Sequence, residues 1–304
     1  MSEEYATKED LNNVLNNINQ AESNILSNIN QIEQNFNSIL TLNTENLISN
    51  FQSMFNMQQT QINQLQQEIN ELKQKEIIKF YYNESNLELK QAVNNVITIL
   101  NSIIIKSNKL DTYNITLIID NLDGNILGQA DWSNGFIILN NNNNNTFIKL
   151  NDISYSLNTV VLLHETMHIL GLVGLSYGSV YIDNIDNSPV YIGKKGTSSY
   201  IKVLNSNNIN TVNLENYIPI ENSFGAGTAF AHFEEGLNED GVEYRYINGV
   251  YYPIIVNELM TGFINTDNYL TDMCLGVLED IGFTLNYQSE YIKNVSENLI
   301  ILNN

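Results

Sequence analysis

Apolar residues recur every seven positions along the first quarter of the chain. Between residues 10 and 76 there is neither glycine nor proline, and most polar residues are Asn, Gln, Ser and Glu. Apolar residues at heptad spacing form one stripe along an α-helix and are typical of coiled coils. The pattern predicts that residues 1–76 form a long N-terminal α-helical coiled coil. Its inner positions are Leu11, Ile18, Ile25, Ile32 and Ile39, followed by Ile48, Phe51, Phe55, Ile62, Leu65, Ile69 and Leu72.

The heptad register changes between Ile39 and Ile48, which are nine positions apart. Such a change arises from a discontinuity in one rod or from a bend between two antiparallel helices. We favour one rod. A disordered polar tail is the alternative, because asparagine is a poor helix former. Isoleucine at inner positions is compatible with two or three chains, so the coiled coil predicts a homo-oligomer.

From residue 77 onward the pattern alternates between strands and helices. Ser85 and Glu88 form a capping box, which predicts the start of a helix. Six consecutive asparagines at 140–145 predict a loop. Alternating or β-branched apolar residues predict strands at 77–82, 113–119, 126–131 and 136–139. This order predicts an α/β (α+β) domain over 77–304, in which a central apolar helix packs beneath a mixed, twisted sheet.

The later part of this domain gives weaker signals. Residues 172–224 contain two of the chain's three prolines and show no helical period, so we interpret them as a long insertion with short strands. Thr271 precedes apolar residues at helical spacing and Gly282 follows them, which predicts a capped helix within a C-terminal subdomain, 263–304. The single cysteine, Cys274, falls in the apolar stripe of this helix and is predicted to be an inert core thiol.

The composition limits the classes of partner. The chain has 34 acidic and 13 basic residues and a formal net charge of −21, which argues against binding to nucleic acid or to an anionic membrane. No apolar run approaches the roughly 18 residues of a membrane-spanning helix, and the first residues lack the pattern of a signal peptide. By sequence the protein is expected to be intracellular, or associated with a particle or surface by a route that the sequence does not reveal.

One short motif, His164-Glu165-Thr-Met-His168, indicates chemistry. Histidines four positions apart lie on one face of a helix and can bind one cation, while Glu165 can reach a water on that cation. The only other histidine is His232, and a catalytic zinc site typically takes three protein ligands and leaves a position for water. The pattern predicts one catalytic Zn²⁺ ion held by His164, His168 and His232. Met260, in a predicted tight turn, is expected beneath the metal.

These segments resemble the leishmanolysin-like metalloproteases, a branch of the metzincin zinc endopeptidases. In that family His-Glu-x-x-His-x-x-Gly is followed by a long insertion, a third histidine and a Met-turn written Glu-Leu-Met. The matching segments are residues 164–171, 225–232, 258–262 and 280–283, and the similarity covers residues 77–287. Family members are usually secreted and cysteine-rich, whereas this chain has no cysteine before the metal motif.

The resemblance implies that His164, His168 and His232 bind zinc, that Glu165 is the catalytic base and that Met260 is the hydrophobic floor below the metal. The implied reaction is hydrolysis of peptide bonds in a protein or peptide substrate, in which Glu165 takes a proton from a zinc-activated water. An edge strand, at 126–131 or 136–139, is expected to pair with an extended peptide.

Two other hypotheses remain open. In the first, the third ligand of a zinc peptidase is a glutamate, for which Glu215, Glu221 and Glu258 are the available residues. In the second, the protein is a coiled-coil structural or attachment protein, and its zinc-stabilised, protease-like head is weakly active or inactive. The intact Glu165 argues against an inactive head.

Overall fold

The structure is a computed structural model of the whole chain. It describes residues 8–39, 44–73, 77–107, 112–143, 146–172, 182–185, 188–206, 209–223, 225, 227–235 and 244–292. The chain divides into two compact units, Met1–Glu76 and Ile77–Asn304. None of the helices in the described residues is both long enough and apolar enough to cross a membrane.

The first unit contains two helices, α1 (Lys8–Ile39) and α2 (Thr44–Lys73). Cα atoms of α1 come within 8 Å of Cα atoms of α2. In a straight helix, residues five or more positions apart are already more than about 8 Å apart, so the chain bends between the two helices. Ile18 is also buried. The interpretation of one continuous rod is therefore wrong, and the arrangement is the bend between helices that the register change also allowed.

The second unit is a mixed α/β assembly, as the sequence predicts. Its helices are α3 (Leu87–Ile103), α4 (Leu157–Leu170), α5 (Lys194–Ser206) and α6 (Asp272–Asp280). Its strands are β1 (Ile78–Tyr81), β2 (Ile104–Ser107), β3 (Tyr113–Asp120), β4 (Gly128–Asp131), β5 (Phe136–Asn140), β6 (Phe147–Leu150), β7 (Ile153–Ser156), β8 (Ile182–Ile185), β9 (Ser188–Tyr191), β10 (Ile218–Pro219), β11 (Tyr244–Ile247), β12 (Val250–Pro253), β13 (Asp267–Asn268) and β14 (Phe283–Leu285).

The principal sheet has the strand order β1-β3-β5-β4. The first three strands are parallel, and β4 runs antiparallel to β5 at the edge. Along β3, buried Tyr113, Ile115 and Leu117 alternate with exposed residues, because successive side chains of a strand point to opposite faces. Helix α4 packs against β4 and β5 on one face of this sheet and also against α3.

The remaining strands form small sheets that the sequence pattern predicts poorly. Their strand orders are β13-β6-β7, β10-β9-β8, β11-β12 and β14-β2. Strands β6 and β7 have no predicted counterpart, because Phe147 and Ile153 are exposed and the apolar alternation is weak. In the predicted asparagine loop, Asn140 ends β5 and Asn141–Asn143 form a 3₁₀ helix, while residues 144–145 lie outside the described residues.

Helix α3 begins one residue later than the capping box implies. The N-cap is Asn86, whose Oδ1 accepts the backbone N–H of Leu89 at 3.0 Å. The predicted cap, Ser85, instead donates its hydroxyl to Asn83 Oδ1 at 2.7 Å. Asparagine is as good an N-cap as serine, so the preceding turn decides which of the two side chains takes the role.

Helix α5 corrects the prediction that residues 172–224 contain only short strands. Its first turn is capped from a distance, because the Asp280 carboxylate accepts the N–H groups of Lys195 and Gly196, each at 2.9 Å. Close packing on α6 requires Gly276, since a Cβ there would lie 2.6 Å from the Lys195 carbonyl oxygen. These contacts join residues distant in sequence. The buried residues Tyr200, Val203 and Leu204 nevertheless lie at helical spacing, which the sequence interpretation missed.

Helix α6 begins and ends where the sequence predicts. The Thr271 hydroxyl oxygen accepts the N–H of Met273 at 3.2 Å, and Gly282 follows the helix with a φ of 109°. A positive φ of this size favours glycine, which has no Cβ to clash with the backbone. Cys274 is fully buried in this helix, as expected of a core thiol.

Candidate metal centre

Helix α4 carries the first two histidines of the motif. It begins after Ser156, whose hydroxyl oxygen accepts the N–H of Thr159, and it ends at Gly171, where φ is 101°. Glycine permits this left-handed turn without strain. Because the chain turns there, the carbonyl oxygen of Leu172 lies 3.3 Å from Nδ1 of His168. The helix end thus orients one imidazole ring.

The structure brings the three histidines together. Nε2 of His164 lies 3.0 Å from Nε2 of His232 and 3.1 Å from Nε2 of His168. The third side of this triangle, between His168 and His232, is 3.2 Å. Within the described part of the chain, no other group of three or more His, Cys, Asp or Glu side chains is close enough to hold a metal ion. The histidine triangle is therefore the candidate metal centre.

The other ring nitrogens fix which atom of each imidazole carries the proton. Nδ1 of His164 lies 2.7 Å from the Leu259 carbonyl oxygen, and Nδ1 of His232 lies 3.0 Å from the Thr228 carbonyl oxygen. A carbonyl oxygen only accepts, so each Nδ1 must donate. The same reasoning applies to His168, whose Nδ1 faces a carbonyl oxygen at the end of α4. All three Nε2 atoms are therefore left with lone pairs that point at one another.

At neutral pH, protonation of the histidine rings does not remove the repulsion between the three Nε2 lone pairs. Burial, followed by the nearby His232, lowers the pKa of His164 to about 3. Burial also lowers the pKa of His232, although its hydrogen bond to the Thr228 carbonyl and the nearby charge of Glu221 act in the opposite direction. Two of the three rings are therefore neutral, and three converging lone pairs of this kind could hold a cation.

The size of the triangle fits a small divalent metal. A tetrahedral zinc ion with Zn–N bonds of ~2.0–2.1 Å would separate its ligand nitrogens by about 3.3 Å. The observed separations of 3.0 to 3.2 Å are close to this value. Each of the three rings also donates its Nδ1–H to a backbone carbonyl, as metal-bound histidines usually do. The three histidines could thus hold one metal ion and leave a fourth position open.

Glu165 lies next to this triangle and is almost completely buried. Burial raises the pKa of Glu165 to about 8. A positive charge held by the triangle would favour the ionised form of this carboxyl, which is the form that can accept a proton. Both Glu165 and the histidines line an open cleft of about 1010 Å³, whose apolar lining includes Ile126, Trp132 and Phe263.

His232 is delivered by a loop rather than by a helix or a strand. Gly225 and Gly227, which precede it, have φ angles of 82° and 105°. These angles let the chain turn tightly, so that the N–H of Ala229 reaches the carbonyl oxygen of Gly225 at 3.0 Å. The loop thereby brings the carbonyl oxygen of Thr228 to the ring of His232.

Met260 is fully buried in a tight turn beside the triangle. The carbonyl oxygen of the preceding residue, Leu259, accepts Nδ1–H of His164. The carbonyl oxygen of Met260 itself accepts the N–H of Phe233, the residue after His232, at 3.0 Å. One turn of backbone therefore bonds the ring of His164 and the chain next to His232.

Glu258 stabilises this turn from inside the core. Its Oε2 accepts the N–H of Met260 at 2.6 Å, and its Oε1 accepts the Thr271 hydroxyl at 3.1 Å and the Cys274 thiol at 2.8 Å. Burial raises the pKa of Glu258 to about 7, although these hydrogen bonds act in the opposite direction. Burial and the adjacent Glu258 raise the pKa of Cys274 well above its usual value, which disfavours the reactive thiolate.

The structure does not place the three candidate glutamates in the metal group. Glu215 is exposed and accepts the hydroxyl of Tyr217. Glu221 is buried, and its Oε1 accepts the N–H of Ser223 at 2.5 Å. Glu258 is committed to the turn described above. Among the described residues, the group that can hold a metal consists of histidines alone.

Two further acidic residues near His232 have roles that local sequence does not reveal. Glu234 and Glu235 are both buried. Glu234 lies 3.2 Å from the guanidinium of Arg245 on β11. Oε2 of Glu235 accepts the N–H of Phe263 at 3.0 Å and so supports a segment of the cleft wall. Only the fold brings these partners together, and consecutive glutamates in a sequence usually indicate an exposed segment.

Comparison with known proteins identifies no relative of this chain. No protein-family model matches it, no curated protein matches it and no solved structure matches it. The chemistry of the site is therefore interpreted from its own geometry, together with the resemblance of its motifs to the leishmanolysin-like metalloproteases.

Proposed function

We propose that the protein is a zinc-dependent metalloendopeptidase that hydrolyses peptide bonds in protein or peptide substrates. The observation that carries this proposal is the convergence of three Nε2 lone pairs beside a buried carboxylate. Three imidazoles with a fourth position open are the ligand set of a hydrolytic zinc site. When bound there, zinc would polarise a carbonyl group and lower the pKa of a water molecule.

In this proposal Glu165 is the general base and His164, His168 and His232 are the metal ligands. Glu165 accepts the proton of the attacking water and passes it to the amine that leaves when the peptide bond breaks. Each histidine keeps its proton on Nδ1 and donates it in a hydrogen bond to a backbone carbonyl, so none of them exchanges protons with the substrate. The acid–base chemistry therefore depends on one carboxylate.

The proposed substrate is an extended peptide that pairs with β4. The sequence pattern allowed either β4 or β5 to be the edge strand that pairs with the peptide. In the structure β5 lies between β3 and β4, so its main chain is already bonded on both sides. Strand β4 is at the edge of the sheet and lines the cleft. An extended peptide can add to such an edge through main-chain hydrogen bonds, and it would lie beside Glu165.

We propose a metzincin-like architecture of the leishmanolysin type for the second unit, with α4 as the central zinc helix. In its support, the turn that contains Met260 bonds the ring of the helix-borne His164 and the backbone of Phe233, the residue after the loop-borne His232. Gly262 is also consistent with this family, because a Cβ at that position would collide with Thr228. A tyrosine ligand two residues after the methionine, as in some other metzincins, has no room here.

The first unit is proposed to form a coiled-coil homo-oligomer. Leu26 on α1 is 65% exposed and Met57 on α2 is 61% exposed, so the two helices of one chain leave large apolar side chains uncovered. Association of further copies would cover them. This is also the feature on which the alternative of a structural or attachment protein depends.

The decisive experiment measures metal and proteolysis on the same preparation. The purified protein should contain one zinc ion per chain and should cleave an unfolded protein such as reduced, alkylated casein. A chelator should abolish cleavage, and added zinc should restore it. Zinc-loaded protein that leaves unfolded substrates intact would contradict the peptidase proposal and favour the structural alternative.

A further inference from the structure

Gly128 allows β4 to approach the proposed catalytic base closely. A Cβ at this position would lie 2.5 Å from Cγ1 of Val161 and 2.9 Å from Oε1 of Glu165. Both distances are shorter than the contacts that real Cβ atoms make. The absence of a side chain at residue 128 therefore defines the position of the Glu165 carboxylate on the side that faces the sheet.

The main-chain N–H and carbonyl of Gly128 lie in the plane of the sheet and point toward the open edge of β4. The N–H of Asn140 donates to the carbonyl oxygen of Leu127 at 2.9 Å, so Leu127 directs its polar groups toward β5. In an antiparallel ladder, residues whose polar groups bond the neighbouring strand alternate with residues whose polar groups point away. Gly128, the next residue, therefore presents its N–H and carbonyl to whatever pairs with the edge.

We propose that Gly128 is a positioning residue that couples substrate docking to Glu165, an inference that rests on the proposed peptidase function. On the face of the sheet toward α4, the missing side chain leaves the space that the carboxylate of Glu165 occupies. In the plane of the sheet, its main chain bonds the peptide that adds to β4. The same residue therefore sets the distance between the docked peptide backbone and the general base. A side chain at residue 128 would move the base while leaving the edge of the strand available.

This role differs from that of an ordinary tightly packed glycine. Gly276 on α6 is equally close to its neighbours, since a Cβ there would lie 2.6 Å from the Lys195 carbonyl oxygen. Gly276 does not line the cleft. Replacing Gly276 should disturb the packing of α5 on α6, whereas replacing Gly128 should disturb the geometry of catalysis. The two glycines form a matched pair for an experiment.

The test compares Gly128→Ala, Gly276→Ala and the double variant Gly128→Ala/Val161→Ala in the full chain. Zinc content, midpoint of thermal unfolding, kcat and KM for a peptide substrate are measured for each. We expect Gly128→Ala to keep one zinc ion per chain and to lower kcat at least tenfold while KM changes less than threefold. Gly276→Ala should lower the unfolding midpoint but leave kcat within about twofold of wild type.

The double variant separates the two contacts of residue 128. In this variant Val161→Ala removes the methyl group that the new Cβ of residue 128 would overlap, so the unfolding midpoint should recover. The overlap between this Cβ and the Glu165 carboxylate remains, so kcat should stay low. Recovery of kcat together with the midpoint would overturn the proposal, as would wild-type kcat in Gly128→Ala. Loss of zinc from Gly128→Ala would also contradict it. An inactive wild type would instead refute the peptidase function itself, which distinguishes the two failures.

Discussion

Nδ1–H of His164 donates a hydrogen bond to the carbonyl oxygen of Leu259 at 2.7 Å, which ties the first histidine of the motif to a turn 95 residues away. The next residue in that turn, Met260, accepts the N–H of Phe233 and so also fixes the backbone beside His232. Ligand orientation in the candidate metal centre is therefore set by backbone carbonyls. Such outer contacts typically contribute roughly 10–100-fold to metal affinity.

Replacing the proposed base should separate metal binding from catalysis. Glu165→Gln keeps the size of the side chain and all three histidines but cannot accept the proton of water. We expect zinc content to stay at one ion per chain and peptidase activity to fall at least 100-fold, since general-base catalysis typically contributes about 10²–10⁴-fold. Zinc analysis and casein cleavage check both parts. Substantial turnover by this variant would exclude Glu165 as the base.

The third ligand can be identified by comparing one histidine with two glutamates. His232→Ala removes one corner of the Nε2 triangle and should lower zinc affinity by orders of magnitude and abolish cleavage. Glu215→Ala serves as the control and should leave both properties unchanged, because Glu215 is exposed and lies outside the metal group. Glu221→Ala tests the buried alternative in the same way. Competition with a chromogenic chelator measures the affinities. If His232→Ala keeps wild-type affinity while a glutamate variant loses it, the histidine site is refuted.

The sequence alone predicts the histidine triangle well, and the physical reason is specific. His164 and His168 belong to one helix, whose periodicity places them on one face, and His232 is the only histidine left to join them. Strands such as β3 are also predictable, because buried and exposed residues alternate over its length.

Features that depend on distant contacts could not be predicted in this way. The first turn of helix α5 is capped by Asp280, about 80 residues further along the chain, and the local sequence does not reveal this cap. The buried residues Tyr200, Val203 and Leu204 do recur at helical spacing, and the sequence interpretation missed this stripe. Nothing near Glu258 in the sequence indicates that its carboxyl bonds Thr271 and Cys274. The sequence patterns of the two strands differ, because β5 is a continuous apolar run whereas β4 is mostly polar, and this difference already favours β5 as the interior strand. The sheet order establishes that β4 is the edge strand.

The first unit should associate in isolation. A fragment of residues 1–76 is expected to be helical and oligomeric, because the contact between α1 and α2 leaves apolar side chains such as Leu26 and Met57 exposed. Replacing both residues with glutamate should shift the fragment toward monomer while helix content stays similar. Light scattering and circular dichroism measure the two properties. A wild-type fragment and a full chain that are both monomeric at micromolar concentration would contradict the prediction.

The last prediction concerns Glu258, whose buried carboxyl should make stability depend on pH. Burial raises its pKa from an ordinary value of 4.5 to about 7. The folded state therefore binds a proton more tightly than the unfolded state. The resulting stabilisation is fully present below pH 4.5 and is lost as pH rises through 7. At about 1.4 kcal/mol per pKa unit, wild type should lose about 2–3 kcal/mol relative to a non-titrating variant between pH 5 and pH 8.

Glu258→Gln supplies that variant, and urea unfolding of the metal-free proteins at the two pH values supplies the measurement. The amide oxygen of the variant can still accept the N–H of Met260, and its N–H₂ group can donate to the Thr271 hydroxyl oxygen, so at pH 5 the variant should be similar in stability to the protonated wild type. Burial also raises the pKa values of Glu165 and Glu235 to about 8. Both proteins share those groups, so their contributions cancel in the difference. A difference in unfolding free energy that stays constant from pH 5 to pH 8 would show that the Glu258 carboxyl does not titrate in this range.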